Sequence, residues 1–258
     1  GAVYRAQRND GLFEQTVAIK FVRPIAGADA SVAALIDAER RLLARMQHRG
    51  IARILDGGTT PDGLHYLVME FVAGVPIDAH ARTQALPADA RVALLLETCA
   101  ALADAHRHLV LHNDIKPANI LIGADGHVKL IDFGVARLRD VIDATLPQGF
   151  TRAYASPQRL AGAAPTVADE VYALGKLLAE LLSGHLPADA EDVREAEGLD
   201  AELAAVARRA LDAEPARRYA SVDAFADELR RWREHRPLAA LPPQLRYRAR
   251  KLLQRHPW

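Results

Sequence analysis

Two carboxylate side chains, Asp114 and Asp132, border short apolar segments near the middle of the chain, with Lys116 and Asn119 between them. Asp132 and Asn119 offer the oxygen ligands that Mg²⁺ prefers. Asp114 could accept the proton of an attacking hydroxyl, and Lys116 could neutralise a phosphate group in transit. Oxygen metal ligands, a hydroxyl-orienting carboxylate and a nearby cation are what phosphoryl transfer requires. The four side chains therefore predict a phosphoryl-transfer site.

A predicted β-hairpin must position these side chains. Two short apolar runs flank residues 123–126, a polar segment with two glycines that is typical of a tight turn. Pro117 disfavours helix for the residue before it, so the segment around Asp114 is predicted to be a loop. The hairpin and the loop together are expected to present all four side chains on one side.

Residues 110–134 resemble the catalytic loop and the Asp-Phe-Gly motif of protein kinases of the eukaryotic-like, or Hanks, type. The loop runs His-Asn-Asp-Ile-Lys-Pro-Ala-Asn at residues 112–119, and Asp-Phe-Gly follows at 132–134. Val-Ala-Ile-Lys at 17–20 resembles the strand that carries the ATP lysine. Thr-Arg-Ala-Tyr-Ala-Ser-Pro at 151–157 resembles the end of the activation segment. The resemblance extends from residue 1 to about residue 236, and the order and spacing of its motifs make it specific.

The resemblance implies an α+β, bilobal protein-kinase-like fold. The N-lobe, residues 1–72, is expected to be a small antiparallel sheet with one long helix over 29–47. Gly1 matches the last glycine of the Gly-rich loop, so the first strand and most of that loop are expected to be missing from this sequence. The C-lobe, residues 73–236, is expected to be larger and mainly helical, and residues 237–258 form a basic tail.

Hydrophobic spacing predicts the bounds of individual elements. We expect helices at 77–85, 88–108, 167–183, 199–211 and 222–233, and strands at 51–56 and 64–71 around a turn at 57–63.

The resemblance also implies a catalytic set. Asp114 would act as the base, Lys116 would neutralise the transferred phosphate, and Thr151 would bond to both. Asn119 and Asp132 would hold Mg²⁺ or Mn²⁺. Thr151 together with Lys116 implies a Ser or Thr acceptor rather than Tyr.

A second implied set binds ATP. Lys20 would contact the α- and β-phosphates and would be held by Glu39, with Asp37 as the alternative partner. The residues implied to bind the nucleotide are Val3, Ala18, Lys20, Glu39, Met69, Glu70, Val72, Leu121 and Ile131.

Three residues and one region depart from the family pattern. Asn113 replaces the arginine that normally pairs with a phosphorylated activation loop, so loop phosphorylation is not the expected on-switch. Gln158 replaces a glutamate whose usual partner would be Arg218, and it can still accept one hydrogen bond. Glu170 stands where an aspartate normally braces the catalytic loop, with Asp169 as a substitute. Residues 183–198 are shorter than the substrate-docking stretch of most kinases.

Composition excludes several other classes. Half of the 258 residues are hydrophobic, and the formal net charge is +0, so no global field attracts nucleic acid. Cys99 is alone, which excludes an intrachain disulfide and fits a reducing cytoplasm. No apolar run is long enough for a transmembrane helix. His106 and His108 lie two residues apart on a helix and face different sides, so they are expected at the surface or in the core rather than on a metal.

The tail carries arginines and one lysine and no acid. It is expected to be a solvated helix or, alternatively, a juxtamembrane segment. The tail and residues 51–60 resemble bacterial Ser/Thr kinases that carry further domains, often a membrane helix and helical repeats. That resemblance implies a cytoplasmic domain, at the inner face of the membrane if a transmembrane helix follows residue 258.

Three functions fit these residues. The first is a Ser/Thr protein kinase with ATP and a protein as its partners. The second is a pseudokinase that binds nucleotide or acts as a scaffold, which the replaced residues and the short 183–198 region would favour. The third is a small-molecule phosphotransferase of related fold, against which the segment 151–157 argues.

Overall fold

The computed structural model describes residues 2–9, 14–21, 46–133, 150–195, 199–242 and 244–255. Glu39, with most of the helix predicted at 29–47, lies outside these residues. So do Gly1, the glycine of Asp-Phe-Gly and most of the predicted activation segment.

The N-terminal part is an antiparallel four-stranded sheet in the order β1-β2-β4-β3. Its strands are β1 Val3–Gln7, β2 Thr16–Phe21, β3 Ile54–Thr59 and β4 His65–Glu70. The register pairs Lys20 with Val3 on one side and with Leu67 on the other. Lys20 therefore lies on an inner strand, where its position is fixed by backbone bonds to both neighbours.

The predicted turn at 57–63 is wrong at its start, because Gly57 and Gly58 belong to β3 and the turn begins after Thr59. A side chain at Gly58 would collide with its cross-strand partner, since an added Cβ would lie 2.5 Å from the Tyr66 hydroxyl. The lack of a side chain at Gly58 therefore leaves room for the Tyr66 ring, and Gly58 does not form the turn.

The predicted hairpin is confirmed. It forms a second sheet in the order β5-β6-β7, with β5 Gly74–Pro76, β6 Ile120–Gly123 and β7 Val128–Leu130. Gly126 has a φ of 78° in the turn, a conformation that glycine adopts without strain. On the far side of β7, Leu130 exchanges backbone bonds with Gly50 and Ala52, which ties the hairpin to the chain leading into β3.

The remainder is mainly helical, and the predicted helices agree with the structure to within two residues at each end. The helices described are α1 Ile77–Thr83, α2 Ala88–Arg107, α3 Pro157–Leu160, α4 Val167–Ser183, α5 Asp192–Glu195, α6 Ala201–Ala210, α7 Val222–Arg233 and α8 Leu245–Arg255.

Helix α4 is the centre of the helical part. It is buried on every face over residues 170–179, as expected for a helix surrounded by others. Thr166 and Asp169 form a reciprocal capping box at its start, and Gly184, with a φ of 76°, ends it. Gly175 lets α6 approach closely, because a Cβ there would lie 2.7 Å from the Cβ of Ala210. The two-part α+β, kinase-like fold is confirmed.

The tail packs against the helical part instead of extending into solvent. Leu238 is buried, and the Glu228 carboxylate accepts bonds from the amides of Ala239 and Ala240. Lys251 of α8 is 3% exposed and donates to Glu202 of α6. The expectation of a solvated tail helix is therefore wrong for this face of α8. Within the described ranges, no helix has the length and apolar character needed to span a bilayer.

Candidate active site

Helix α4 holds the loop that carries Asp114 through the side chain of Glu170. Glu170 Oε1 accepts bonds from the amides of His112 at 2.5 Å and Asn113 at 2.9 Å. Asn113 has a φ of 68°, a left-handed conformation that asparagine tolerates better than most residues. Glu170 itself braces the loop, so the suggested substitution by Asp169 is wrong. Asp169 instead caps α4 and accepts the Ser156 hydroxyl.

His106 supports the site through Glu170, a contact that sequence reasoning missed. Its Nε2 lies 2.5 Å from Glu170 Oε2, so the Glu170 carboxylate is bonded at both oxygens. His106 was expected at the surface or in the core, and it does lie in a partly buried position on α2. The only available signal was its place in the last turn of a helix that leads into the catalytic loop.

Asp114 is surrounded by hydrogen-bond donors. Its Oδ1 accepts the Thr151 amide at 2.8 Å, and its Oδ2 lies 2.6 Å from Lys116 Nζ and 3.2 Å from Asn119 Nδ2. Burial tends to raise the pKa of Asp114, but the bonds from Lys116 and Thr151 outweigh it and hold that pKa below its usual value. Asp114 is therefore an anion at neutral pH and can accept a proton.

Lys116 links two of the predicted residues, since its Nζ also donates to the Thr151 hydroxyl at 2.7 Å. The structure thus brings Asp114, Lys116 and Thr151 into one hydrogen-bonded group. Thr151 comes from a separate part of the chain, where it precedes a short 3₁₀ turn at Arg152–Tyr154.

Lys20 of the first sheet contacts Asp132, which follows the last strand of the second sheet. Lys20 Nζ donates directly to Asp132 Oδ1, and Lys20 is 9% exposed. Asp132 has a φ of 72° and follows Ile131, whose amide bonds to the Asn119 carbonyl at 3.0 Å. The strand lysine and the Asp-Phe-Gly carboxylate, far apart in sequence, therefore share one site.

Asn119 and Asp132 fit a divalent cation by their donor atoms. The Asn119 Nδ2 donates to the Asp114 carbonyl at 2.8 Å, so the assigned amide orientation leaves Oδ1 for another partner. An amide oxygen and a carboxylate are hard ligands suited to Mg²⁺. No group of three His, Cys, Asp or Glu side chains that could hold a metal occurs in the described part of the chain, so the fit rests on this pair.

Residues predicted to surround the nucleotide come from both sheets. Ala18 and Met69 are cross-strand partners in the first sheet, and Leu121 lies in β6 of the second. Val3 is 56% exposed on β1. Val72 lies between β4 and β5, partly exposed.

Glu70, one of the residues predicted to bind the nucleotide, has a side chain that bonds within the protein. The carboxylate lies 2.8 Å from Lys129 Nζ and accepts the Arg53 amide at 3.1 Å. Burial tends to raise the pKa of Glu70, but the bonds from Lys129 and Arg53 lower it overall.

The predicted bond between Gln158 and Arg218 is present. Arg218 Nη2 donates to Gln158 Oε1 at 2.6 Å, while the Gln158 amide donates to the Ala213 carbonyl. The buried guanidinium also bonds to the carbonyls of Asp212 and Ala168, and Asp169 Oδ1 lies 3.8 Å away. The carbonyl oxygens and Asp169 thus stabilise the positive charge of Arg218, for which Gln158 supplies no carboxylate.

The whole sequence, residues 1–258, matches the family described as protein kinase domain. The chain belongs to this family. Serine/threonine-protein kinase PknB of Mycobacterium tuberculosis is 33% identical over 227 residues, which are 79% of this chain and 36% of PknB. The probable serine/threonine-protein kinase PknB of Lactococcus lactis is 34% identical over 185 residues, 70% of this chain and 29% of the relative. Pkn3 of Myxococcus xanthus is 29% identical over 260 residues, 89% of this chain and 47% of the relative.

The fold has matches among solved structures. The kinase domain of Mycobacterium tuberculosis PknI superposes with a TM-score of 0.68 at 26% identity, covering 88% of this chain and 89% of PknI's domain. The relatives and the fold identify a bacterial kinase domain of the Hanks, Ser/Thr type. The kinase domain spans less than half the length of these curated relatives.

Proposed function

We propose that this kinase domain transfers the γ-phosphate of ATP to the hydroxyl of a Ser or Thr side chain in a protein. The observation that supports the proposal best is the meeting of Lys20 with Asp132 beside the group formed by Asp114, Lys116 and Thr151. Cations and carboxylates from distant parts of the chain converge where a triphosphate and a hydroxyl would have to meet.

Each residue has a role in a direct, in-line transfer. Asp114 orients the acceptor hydroxyl and takes its proton as the new oxygen–phosphorus bond forms and the bond to ADP breaks. Lys116 places positive charge beside the transferred group, and Lys20 binds the phosphates that remain on ADP. Mg²⁺ or Mn²⁺, held by Asp132 and Asn119, would neutralise charge on the phosphate oxygens. Thr151 fixes Lys116 and implies a Ser or Thr acceptor.

Two features weigh against the alternative of a pseudokinase. Glu170 and Gln158, which replace the usual residues, both make bonds that hold the catalytic loop and the segment after Thr151. The polar side chains proposed to contact phosphate and metal, within the described residues, are all present. The 151–157 segment and its contact with Lys116 favour a protein acceptor over a small molecule.

We further propose that ATP and a protein substrate are the partners of this domain, without nucleic acid, and that it works in the cytoplasm. The lone Cys99 is buried, which agrees with a reducing compartment. The full-length protein would carry a membrane anchor or helical repeats beyond residue 258, and a transmembrane helix there would place the domain at the inner face of the membrane.

The test is phosphate transfer to a generic basic protein, measured with γ-labelled ATP and Mg²⁺, beside an Asp114→Asn variant. Loss of the base is expected to lower the rate by about 10²–10⁴-fold. The matched control is Asp62→Asn, which changes a carboxylate in the exposed turn between β3 and β4. This variant should transfer phosphate at the rate of the unmodified protein. Nucleotide binding with no transfer by the unmodified protein would favour the pseudokinase, and transfer that survives Asp114→Asn would remove Asp114 from the mechanism.

A further inference from the structure

Helix α8 is attached to the C-lobe in one orientation. Its inner side carries Lys251, which is buried against Glu202 of α6 at 2.5 Å, and Tyr247, whose hydroxyl accepts the Leu238 amide at 3.1 Å. Both inner contacts are polar. The outer side of the helix is therefore defined by the residues that point away from these two.

The outer side of α8 is apolar at its centre. Leu245 is 83% exposed and Leu252 is 57% exposed. They are seven residues apart, which is two helical turns, and the exposed Ala249 lies between them on the same side. A surface helix normally turns its leucines toward the protein and its charges toward water. Leu245 and Leu252 instead face solvent, so they form an apolar surface that the C-lobe does not cover.

Positive charge borders this apolar stripe. Arg246 and Arg255 are exposed beside it. The sequence adds Arg248 and Arg250 within the same helix, and no Asp or Glu follows Glu234. The tail is thus uniformly cationic, although the formal net charge of the chain is +0.

We propose that the outer face of α8, formed by Leu245, Arg246, Ala249, Leu252 and Arg255, lies on the surface of a bilayer that contains anionic lipid. Leucines inserted at the headgroup boundary and arginines at phosphate level are the arrangement of an interfacial helix. Anionic headgroups attract each Arg near the surface. The proposal goes beyond the proposed kinase activity and does not depend on it.

Charge argues against the other candidate occupants. A second copy packed on this face would place Arg246 and Arg255 against the cationic tail of its partner. A nucleic acid would engage the arginines through its phosphates but would leave the leucines uncovered. An anionic bilayer satisfies both parts of the face, because it offers negative headgroups and an apolar interior.

The experiment is co-sedimentation of the whole protein with vesicles of phosphatidylcholine alone and of phosphatidylcholine mixed with phosphatidylglycerol. We expect binding to the mixed vesicles only, weakened by added salt. The double variant Leu245→Ser with Leu252→Ser should lose roughly tenfold or more in affinity, since two apolar side chains no longer insert. Leu55→Ser changes an exposed leucine of β3 in the first sheet, and this variant should bind as the unmodified protein does.

Several outcomes would overturn the proposal. They are equal binding to both vesicles, no binding to either, and unchanged binding by the double variant. A concentration-dependent dimer, seen by sedimentation without vesicles and lost in the double variant, would assign the face to a second copy. Because both leucines are exposed, the thermal unfolding midpoint should not change. The Asp114→Asn variant should still bind the vesicles. A failure of the kinase proposal would therefore leave the test of the membrane proposal unaffected.

Discussion

The ionisation of Asp114 is decided by two neighbours that oppose its burial. Burial favours the neutral acid, whereas Lys116 and the Thr151 amide favour the anion and prevail. A carboxylate with a lowered pKa is deprotonated over the whole neutral range. It is thereby suited to receive a proton rather than to supply one.

Lys116→Met should move the acid limb of the pH dependence of kcat/KM to higher pH. The carboxylate works when deprotonated, so activity is lost as pH falls through its pKa. Removing the cation leaves the effect of burial less opposed, so the pKa of Asp114 rises. Lys116→Arg keeps the charge and should keep the limb near its original position. An unchanged limb in Lys116→Met would mean that Lys116 does not set the pKa of Asp114.

Leu109 is held in a conformation that does not suit leucine. Its φ is 60°, and it is 85% exposed in the turn between α2 and the catalytic loop. Leu109→Gly should stabilise the protein by about 0.5–1 kcal/mol, because glycine adopts this φ without the clash of a Cβ. Urea unfolding measures the change. Leu109→Ala removes the exposed side chain but keeps the Cβ, so an equal gain in that variant would show that backbone strain is not the cause.

Helix α4 organises the site, because its Glu170 side chain bonds to the catalytic loop. Glu170→Ala would leave the amides of His112, which is buried, and Asn113, which is partly buried, without their acceptor, at a cost of about 1–3 kcal/mol for each. We expect a lower kcat with little change in the KM for ATP, since the loop carries Asp114 and the nucleotide site lies mostly elsewhere. Glu170→Gln keeps one acceptor oxygen and should retain most of the activity. Steady-state kinetics of both variants measure kcat and the KM for ATP. A larger effect on KM than on kcat would contradict this expectation.

A second junction joins the two sheets near the predicted adenine site. Glu70, at the end of β4, bonds to Lys129 of β7 and to the amide of Arg53, while its own amide bonds to the Arg53 carbonyl. β7 leads directly to Asp132. The carboxylate of Glu70 therefore connects the end of β4 to β7, the strand that precedes the predicted metal ligand Asp132.

Lys129→Met should raise the KM for ATP a few-fold and leave kcat close to that of the unmodified protein. The ion pair is partly exposed, with side chains 23% and 26% accessible, so its contribution is about 1 kcal/mol or less. Lys129→Arg should restore the KM. A double-mutant cycle with Glu70→Gln measures the coupling between the two side chains, and a coupling near zero would show that the pair does not position the nucleotide site.

For the molecule as a whole, sequence predicted the parts whose signal is local. The helices followed from apolar spacing, and the hairpin followed from two glycines between apolar runs. Lys20 and Asp132 each lie in a motif that resembles one of the protein kinases, and that resemblance implied a single ATP and metal site for both. Local spacing alone would not have predicted that the two side chains meet.

The parts that sequence missed depend on contacts between distant elements. Gly57 and Gly58 look like turn residues, yet Gly58 is required by the ring of Tyr66 across the sheet. His106 looks like an ordinary helix residue until α4 places Glu170 beside it. Lys251 looks like a solvated tail charge, and only the packing of α8 on α6 shows that it is buried. None of these partners could be identified from spacing along the chain.

The buried pair of Lys251 and Glu202 gives a test of how firmly the tail belongs to the folded unit. Both residues are less than one-tenth exposed. Lys251→Met should lower the free energy of unfolding by about 3–5 kcal/mol, because the buried Glu202 carboxylate loses the positive charge of Lys251. Lys251→Met combined with Glu202→Leu should recover most of that loss, since two apolar side chains of similar size need no charge partner. Urea unfolding followed by fluorescence and by circular dichroism should give one shared transition in each variant. A Lys251→Met protein as stable as the unmodified one would mean that the Lys251–Glu202 pair does not stabilise the packing of α8.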